Sequence, residues 1–224
     1  MVSGARRRKT LSQLDLSAPA AVSRKVRIDI AVEDIGTLKS NGYSLCVAKK
    51  VLGGGSGDGY TVVWQSSTRY LATNDLSWTP QYALFGGNRF DSGGQVRATT
   101  NQQAVGLGQR CVLDRNGVLQ PPATGGPATA ITLANDYGSI HAGLSQMINW
   151  LDGGIRMVPM HLAPRASVVG EEPLTPVEQV LIWFEQYITT STMFSTARPN
   201  AVEVDMSRTD RAAVRYSNGR WSTP

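Results

Sequence analysis

The sequence predicts an all-β protein, an antiparallel β-sandwich of about eight to ten short strands with at most one or two short helices. Three observations predict it. The 224 residues are rich in turn formers, with 23 Gly and 11 Pro, and in the β-branched side chains that suit a pleated surface. Charged residues make up 17% of the chain and hydrophobic ones 41%, so it can bury a core and is not a disordered polypeptide. Segments of period-two alternation recur between turn signals, and no repeat of fixed length points to a propeller or solenoid.

From Lys25, Val26, Ile28, Ile30 and Val32 alternate with Arg27, Asp29 and Ala31, the pattern of a half-buried strand. The polar stretch Glu33 to Gly42 reads as a turn or one short helical turn. Tyr43 to Leu52 and Tyr60 to Gln65 then read as two strands of a hairpin, joined by a long flexible tip from Gly53 to Gly59. Further strands are expected at Leu76 to Phe85, where Pro80 implies an edge or a bulge, and at Gln95 to Thr100, Arg110 to Leu113 and Ala130 to Ala134.

Asp114 to Gly117 is a turn signal and Pro121 to Thr129 a loop. Between Ile140 and Leu162 the pattern blurs. Leu144, Met147, Ile148 and Leu151 fit one face of a short helix, with strand as a close rival. Thr175-Pro176-Val177-Glu178 resembles a helix start, yet the aromatic and β-branched content up to Thr192 tips the reading towards strand. Ala201 to Met206 alternates, and Ala212 to Tyr216 joins Arg220-Trp221 through Ser217-Asn218-Gly219 as a terminal hairpin.

The formal net charge of +5 is unevenly placed. Residues 1–27 carry seven basic side chains and one acid, and the remaining 197 residues carry 15 basic and 16 acidic ones. The organisation expected is therefore an extended basic arm over residues 1–24 and one sandwich domain over 25–224. Arg6, Arg7, Arg8 and Lys9 form the densest cluster, suited to phosphates or an anionic surface or simply to solvation. The near-neutral body suggests no general affinity for polyanions. Neither a signal peptide nor a membrane span is legible, which makes the cytoplasm the expected location, with release by another route left open. Cys46 and Cys111 are expected to be buried free thiols, with a disulfide as the alternative.

Few motifs carry chemistry. The glycine stretch runs into Tyr60-Thr61-Val62-Val63-Trp64 instead of a helix, so it is not a phosphate-cradling loop. The two histidines, His141 and His161, have no ligand spacing, no Gly-x-Ser-x-Gly elbow occurs, and neither metal nor cofactor is expected. Weak catalytic candidates are Glu185 among aromatics, and Glu203 with Asp205 on one face of a strand. Ligand-facing candidates are Trp78 with Tyr82, and Trp150 with Asp152, because they lie in turn-like surroundings.

These features favour a non-enzymatic β-sandwich that binds a glycan or a membrane headgroup, of lectin-like or defence type. One alternative is a self-assembling shell protein, a homo-oligomer whose basic arm meets nucleic acid. The other is a small β-fold enzyme working through carboxylates.

Overall fold

The computed structural model describes residues 23–55, 57, 59–149 and 153–223. Its strands are β1 (Arg24–Ile30), β2 (Tyr43–Leu52), β3 (Gln65–Ser67), β4 (Thr73–Gly87), β5 (Gln103–Val105), β6 (Gln109–Leu113), β7 (Ala123–Thr124), β8 (Ile131–Asn135), β9 (His141–Asn149), β10 (Ile155–Leu162), β11 (Gly170–Gln186), β12 (Val202–Asp205), β13 (Arg211–Ser217) and β14 (Arg220–Ser222), with one helix, α1 (Val32–Ser40). Two seven-stranded sheets pack face to face. The first runs β10-β9-β4-β1-β13-β14 with β5 beside β4; the second runs β3-β2-β11-β8-β6-β7 with β12 beside β11.

The all-β sandwich is as expected, with more strands than the sequence suggested. Both sheets are mixed, because β1 pairs with β13 and β6 with β8 in parallel. One continuous core fills the space between them. It includes Val26, Ile28 and Ile30 of β1, Leu45 and Val47 of β2, Leu76 and Leu84 of β4, and Val180 and Ile182 of β11. Each such side chain contributes about 1.5–3 kcal/mol on burial.

Several expectations need correction. Val32 leaves the alternation of β1, is 73% exposed and opens α1. That helix carries Glu33 and Asp34 in its first turn and Lys39 in its last, charges that suit the helix dipole. Residues 60–64 are buried but form no ladder; only Val62 bridges to Met193. Residues 95–100 likewise make a single bridge, Gln95 to Thr192. The stretch 121–129 contains the short β7, and the region left between a short helix and a strand is the β9–β10 hairpin, the strand alternative.

The start of the glycine tip, Gly53 to Gly55, is packed, not loose. A Cβ at Gly54 would lie 2.5 Å from the Ala163 Cβ, and one at Gly55 would lie 2.7 Å from the Arg165 Cδ. Gly54 also donates its N–H to the Glu172 carboxylate at 2.6 Å. Among the described residues, no helix is long and apolar enough to cross a membrane.

Two bulges interrupt the long strands. In β4 the register with β9 shifts between Trp78 and Tyr82, around Pro80. In β11 the register with β2 shifts between Pro176 and Val180, so Val177, Glu178 and Gln179 face a single partner position. A bulge re-aims the side chains it carries.

Candidate functional site

The two bulges are joined by a half-buried ionic cluster. Glu178 turns from the β11 bulge, and one of its carboxylate oxygens accepts from Lys49 Nζ at 2.6 Å, Arg24 Nε at 3.1 Å and Trp78 Nε1 at 3.1 Å. Lys49 is fully buried and sits 4.7 Å from the centre of the Trp78 ring, a cation–π contact. Arg24 Nη1 also donates to Asp210 Oδ1, Met206 O and Thr209 O. Burial lowers the Lys49 ammonium to about 8, against the attraction of Glu178. Burial would raise the Glu178 carboxyl, but Lys49, Trp78 and Arg24 together outweigh it and hold it below its usual value.

This cluster places Trp78 and Tyr82 differently from expectation. Both are core residues, 2% and 4% exposed, and burial pushes the Tyr82 hydroxyl up. Trp78 still borders a cavity of about 140 Å³ with Thr79, Ile148, Asn149 and Ile155. Trp150 and Asp152, expected beside it, lie outside the described residues, as do Arg6, Arg7, Arg8 and Lys9 of the arm.

The carboxylate candidates are separated and individually partnered. Glu185 Oε2 accepts from Trp183 Nε1 at 2.7 Å and faces Arg198 Nε at 3.0 Å. Glu203 Oε2 accepts from the Tyr60 hydroxyl at 2.8 Å and faces Lys50 at 3.4 Å. Asp205 lies on the same exposed face of β12 as Glu203, but it caps a turn, accepting from the Ser207 N–H at 2.8 Å. That bond holds its carboxyl below the usual value. None of the three borders the Trp78 cavity, and the described residues contain no cluster of three or more His, Cys, Asp or Glu side chains that could hold a metal.

Both cysteines are free and buried. Burial raises the Cys46 thiol to about 12 and the Cys111 thiol to about 11, so neither is a nucleophile at neutral pH. His161 is buried too. Its Nδ1 lies 2.9 Å from the Thr61 hydroxyl, and desolvation lowers it to about 3.

The site that sequence reasoning missed is a polar trough on the outer side of the second sheet. The side chains of Leu45 and Val47 enter the core, so those of Ser44 and Cys46, alternating with them, face outward. Ser66, opposite Cys46, shares that outer face. The segment 188–194 folds over it, held by Ser191 N to Val63 O at 2.7 Å and Phe194 N to Thr61 O at 2.8 Å.

A depression of about 530 Å³ lies there, lined by Ser44, Ser66, Thr68, Arg69, Thr189 and Thr190 among others. A second, of about 430 Å³, is lined by Asn88, Arg89, Asp91, Arg97, Thr99 and Met193. Gln95 lines both and ties the trough to its floor, donating to Thr189 Oγ1 at 2.9 Å and Thr192 Oγ1 at 2.7 Å.

Two features of this trough bear on what it can bind. Arg69 and Arg97 have no carboxylate within ion-pair distance among the described residues, whereas Arg89 pairs with Asp91 at 3.0 Å. Tyr187, next in sequence to Ile188 on the trough wall, is 95% exposed and sits at φ +57°. A bulky residue in the left-handed region costs about 1–3 kcal/mol and clusters at binding sites. The only sequence signals were the hydroxyl runs Ser66-Ser67-Thr68 and Thr189 to Thr192.

No protein-family model matches the chain. No curated protein and no solved structure matches it either.

Proposed function

We propose that the protein is a non-enzymatic binding module whose trough takes an acidic glycan, an oligosaccharide bearing a carboxylate or sulfate. The observation that carries this reading is the pairing of a hydroxyl-lined trough with two arginines that lack an acidic partner among the described residues, Arg69 and Arg97. Hydroxyls and the Gln95 and Asn88 amides match a sugar's own donors and acceptors. An arginine fork matches a carboxylate or sulfate, and does so with charge-assisted bonds. The exposed Tyr187 ring offers the apolar face on which a sugar ring can lie. Because the trough rests on rigid strands on one side and on a hydrogen-bonded segment on the other, little order is gained on binding, which favours affinity.

The experiment is calorimetry of the full chain with uronate-containing, sialylated and sulfated oligosaccharides against neutral ones of equal length. Acidic ligands should bind and neutral ones should bind at least tenfold more weakly. Arg97→Ala should lower affinity about tenfold or more, since a hydrogen bond to a charged group contributes about 1.5–3 kcal/mol, and Tyr187→Ala should lower it about two- to tenfold, as expected for the loss of an aromatic contact of about 0.5–1.5 kcal/mol. Equal binding of neutral and acidic sugars, or full affinity in both variants, would remove the proposal.

A further inference from the structure

We infer that the outer face of the first sheet, across β1, β13 and β14, is a docking surface for the phosphate backbone of nucleic acid. The inward side chains of β1 are Val26, Ile28 and Ile30, which leaves Lys25, Arg27 and Asp29 pointing outward. On β13 Val214 is buried, which leaves Arg211, Ala213 and Arg215 outward. The parallel register sets Lys25 beside Arg211, Arg27 beside Ala213 and Asp29 beside Arg215, and the terminal hairpin adds Arg220 opposite Ser217.

Five cations therefore share this face with two carboxylates, Asp29 and Asp75. Lys25 is paired with Asp75 at 2.8 Å and Arg27 with Asp29 at 3.4 Å. Among the described residues Arg211, Arg215 and Arg220 form no ion pair, although Asp29 is the cross-strand neighbour of Arg215. The near-neutral charge of the body as a whole hides this segregation, because most of the acids lie elsewhere.

The shape fits a chain of phosphates. The small side chain of Ala213 leaves a depression of about 360 Å³ walled by Lys25, Arg27, Asp75 and Arg211. Cations two apart on a strand lie ~6.6 Å from each other and neighbouring strands lie ~4.8 Å apart, so successive phosphates of an extended backbone can each find a partner. The outward positions of β1, β13 and β14 carry no large apolar side chain, which disfavours insertion into a bilayer. They carry no aromatic ring for base stacking either, so contact to the backbone is sequence-independent. A second copy of the same face would meet it with like charge.

The test uses the full chain and a fluorescent mixed-sequence single-stranded oligonucleotide, with anisotropy read over a range of salt. The triple variant Arg211→Ala, Arg215→Ala, Arg220→Ala should bind at least tenfold more weakly. Its plot of log affinity against log salt should be shallower by ~2, as expected when three of the phosphate contacts on a single strand are lost. The charge reversal Arg215→Glu alone should weaken binding too, and it serves if the triple variant does not fold. Replacing Arg6 to Lys9 with alanine should weaken binding while the remainder still depends on Arg211, Arg215 and Arg220.

Unchanged affinity and slope in both face variants would overturn the inference. Complete loss of binding with the arm variant alone would assign all contact to the arm and overturn it as well. Binding to phosphatidylserine vesicles without binding to the oligonucleotide would do the same. Because none of these arginines lines either depression of the trough, the triple variant should keep its acidic-glycan affinity, so the two proposals fail separately.

Discussion

Glu178 takes three donors on one oxygen, and the donors differ in what they lose when it goes. Glu178→Gln leaves the Lys49 ammonium buried without a counter-charge, an arrangement that costs about 3–5 kcal/mol when one partner of a buried pair is removed. Lys49→Met leaves the carboxylate with Arg24 and Trp78 and fills the same space with an apolar chain, so it should cost less than half as much. Urea unfolding of the two variants checks this; equal losses, or a larger loss from Lys49→Met, would show that the stranded ammonium is not the dominant cost.

His161 makes the complementary case for acid. Its folded-state value is lowered to about 3 from 6.5, so across that window the unfolded chain binds a proton that the folded chain cannot. Stability attributable to His161 is full above that window and falls by up to ~1.4 kcal/mol per pH unit as pH drops through it. Glu178, with its depressed value, works in the same direction at the acid end. His161→Gln should therefore flatten the decline between pH 6 and pH 4 in urea midpoints, while a curve of unchanged steepness would place the acid sensitivity elsewhere.

At the level of elements, the glycine tip illustrates how packing overrides a local reading. Gly54 sits at φ +63° against Ala163, and Gly42 sits at φ +69° with nothing nearby. Gly54→Ala should cost roughly 2–4 kcal/mol, combining left-handed strain with overpacking. Gly42→Ala carries the strain alone and should cost about 1–2 kcal/mol. Thermal melts of the pair separate the two contributions; similar losses would mean the tip gives way freely.

The same contrast explains what could be read from the residues. β1 was legible because one face is buried and the other is not, and the terminal hairpin because Asn218-Gly219 takes positive φ; β2, buried on both faces, showed only as an apolar run bounded by Asn41-Gly42 and Gly53. Pro80 marked its bulge for the same local reason. The β9 strand was not legible because Ala142, Gly143, Leu144, Ser145 and Gln146 are all buried, which erases alternation. Tyr60 to Trp64 reads as a strand and is not one, because a buried apolar run needs no ladder when other segments clamp it. The trough was invisible because its walls come from residues near 44, 66, 95 and 189, distant in sequence and joined only by tertiary structure.

For the whole molecule, the two proposed surfaces divide the sandwich by chemistry. The outer side of the second sheet is padded by Trp183, Phe194, Ile188 and Tyr60 before the trough opens beside them. Across β1, β13 and β14 the outer side of the first sheet is bare and carries its cations directly on the strands. Neither surface uses Glu185, Glu203 or Asp205, whose carboxylates are each engaged in holding a neighbour.

The parallel pairing of β1 with β13 also sets a timetable. Lys25 lies opposite Arg211, so synthesis must run as far as Arg211 before β1 gains that neighbour. At ~5–20 residues per second, the nascent protein carries an unfinished strand edge for roughly 10–40 s. Such an edge invites pairing with other chains, and Lys25 and Arg27, set along it, are the side chains that repel a second nascent copy during the wait.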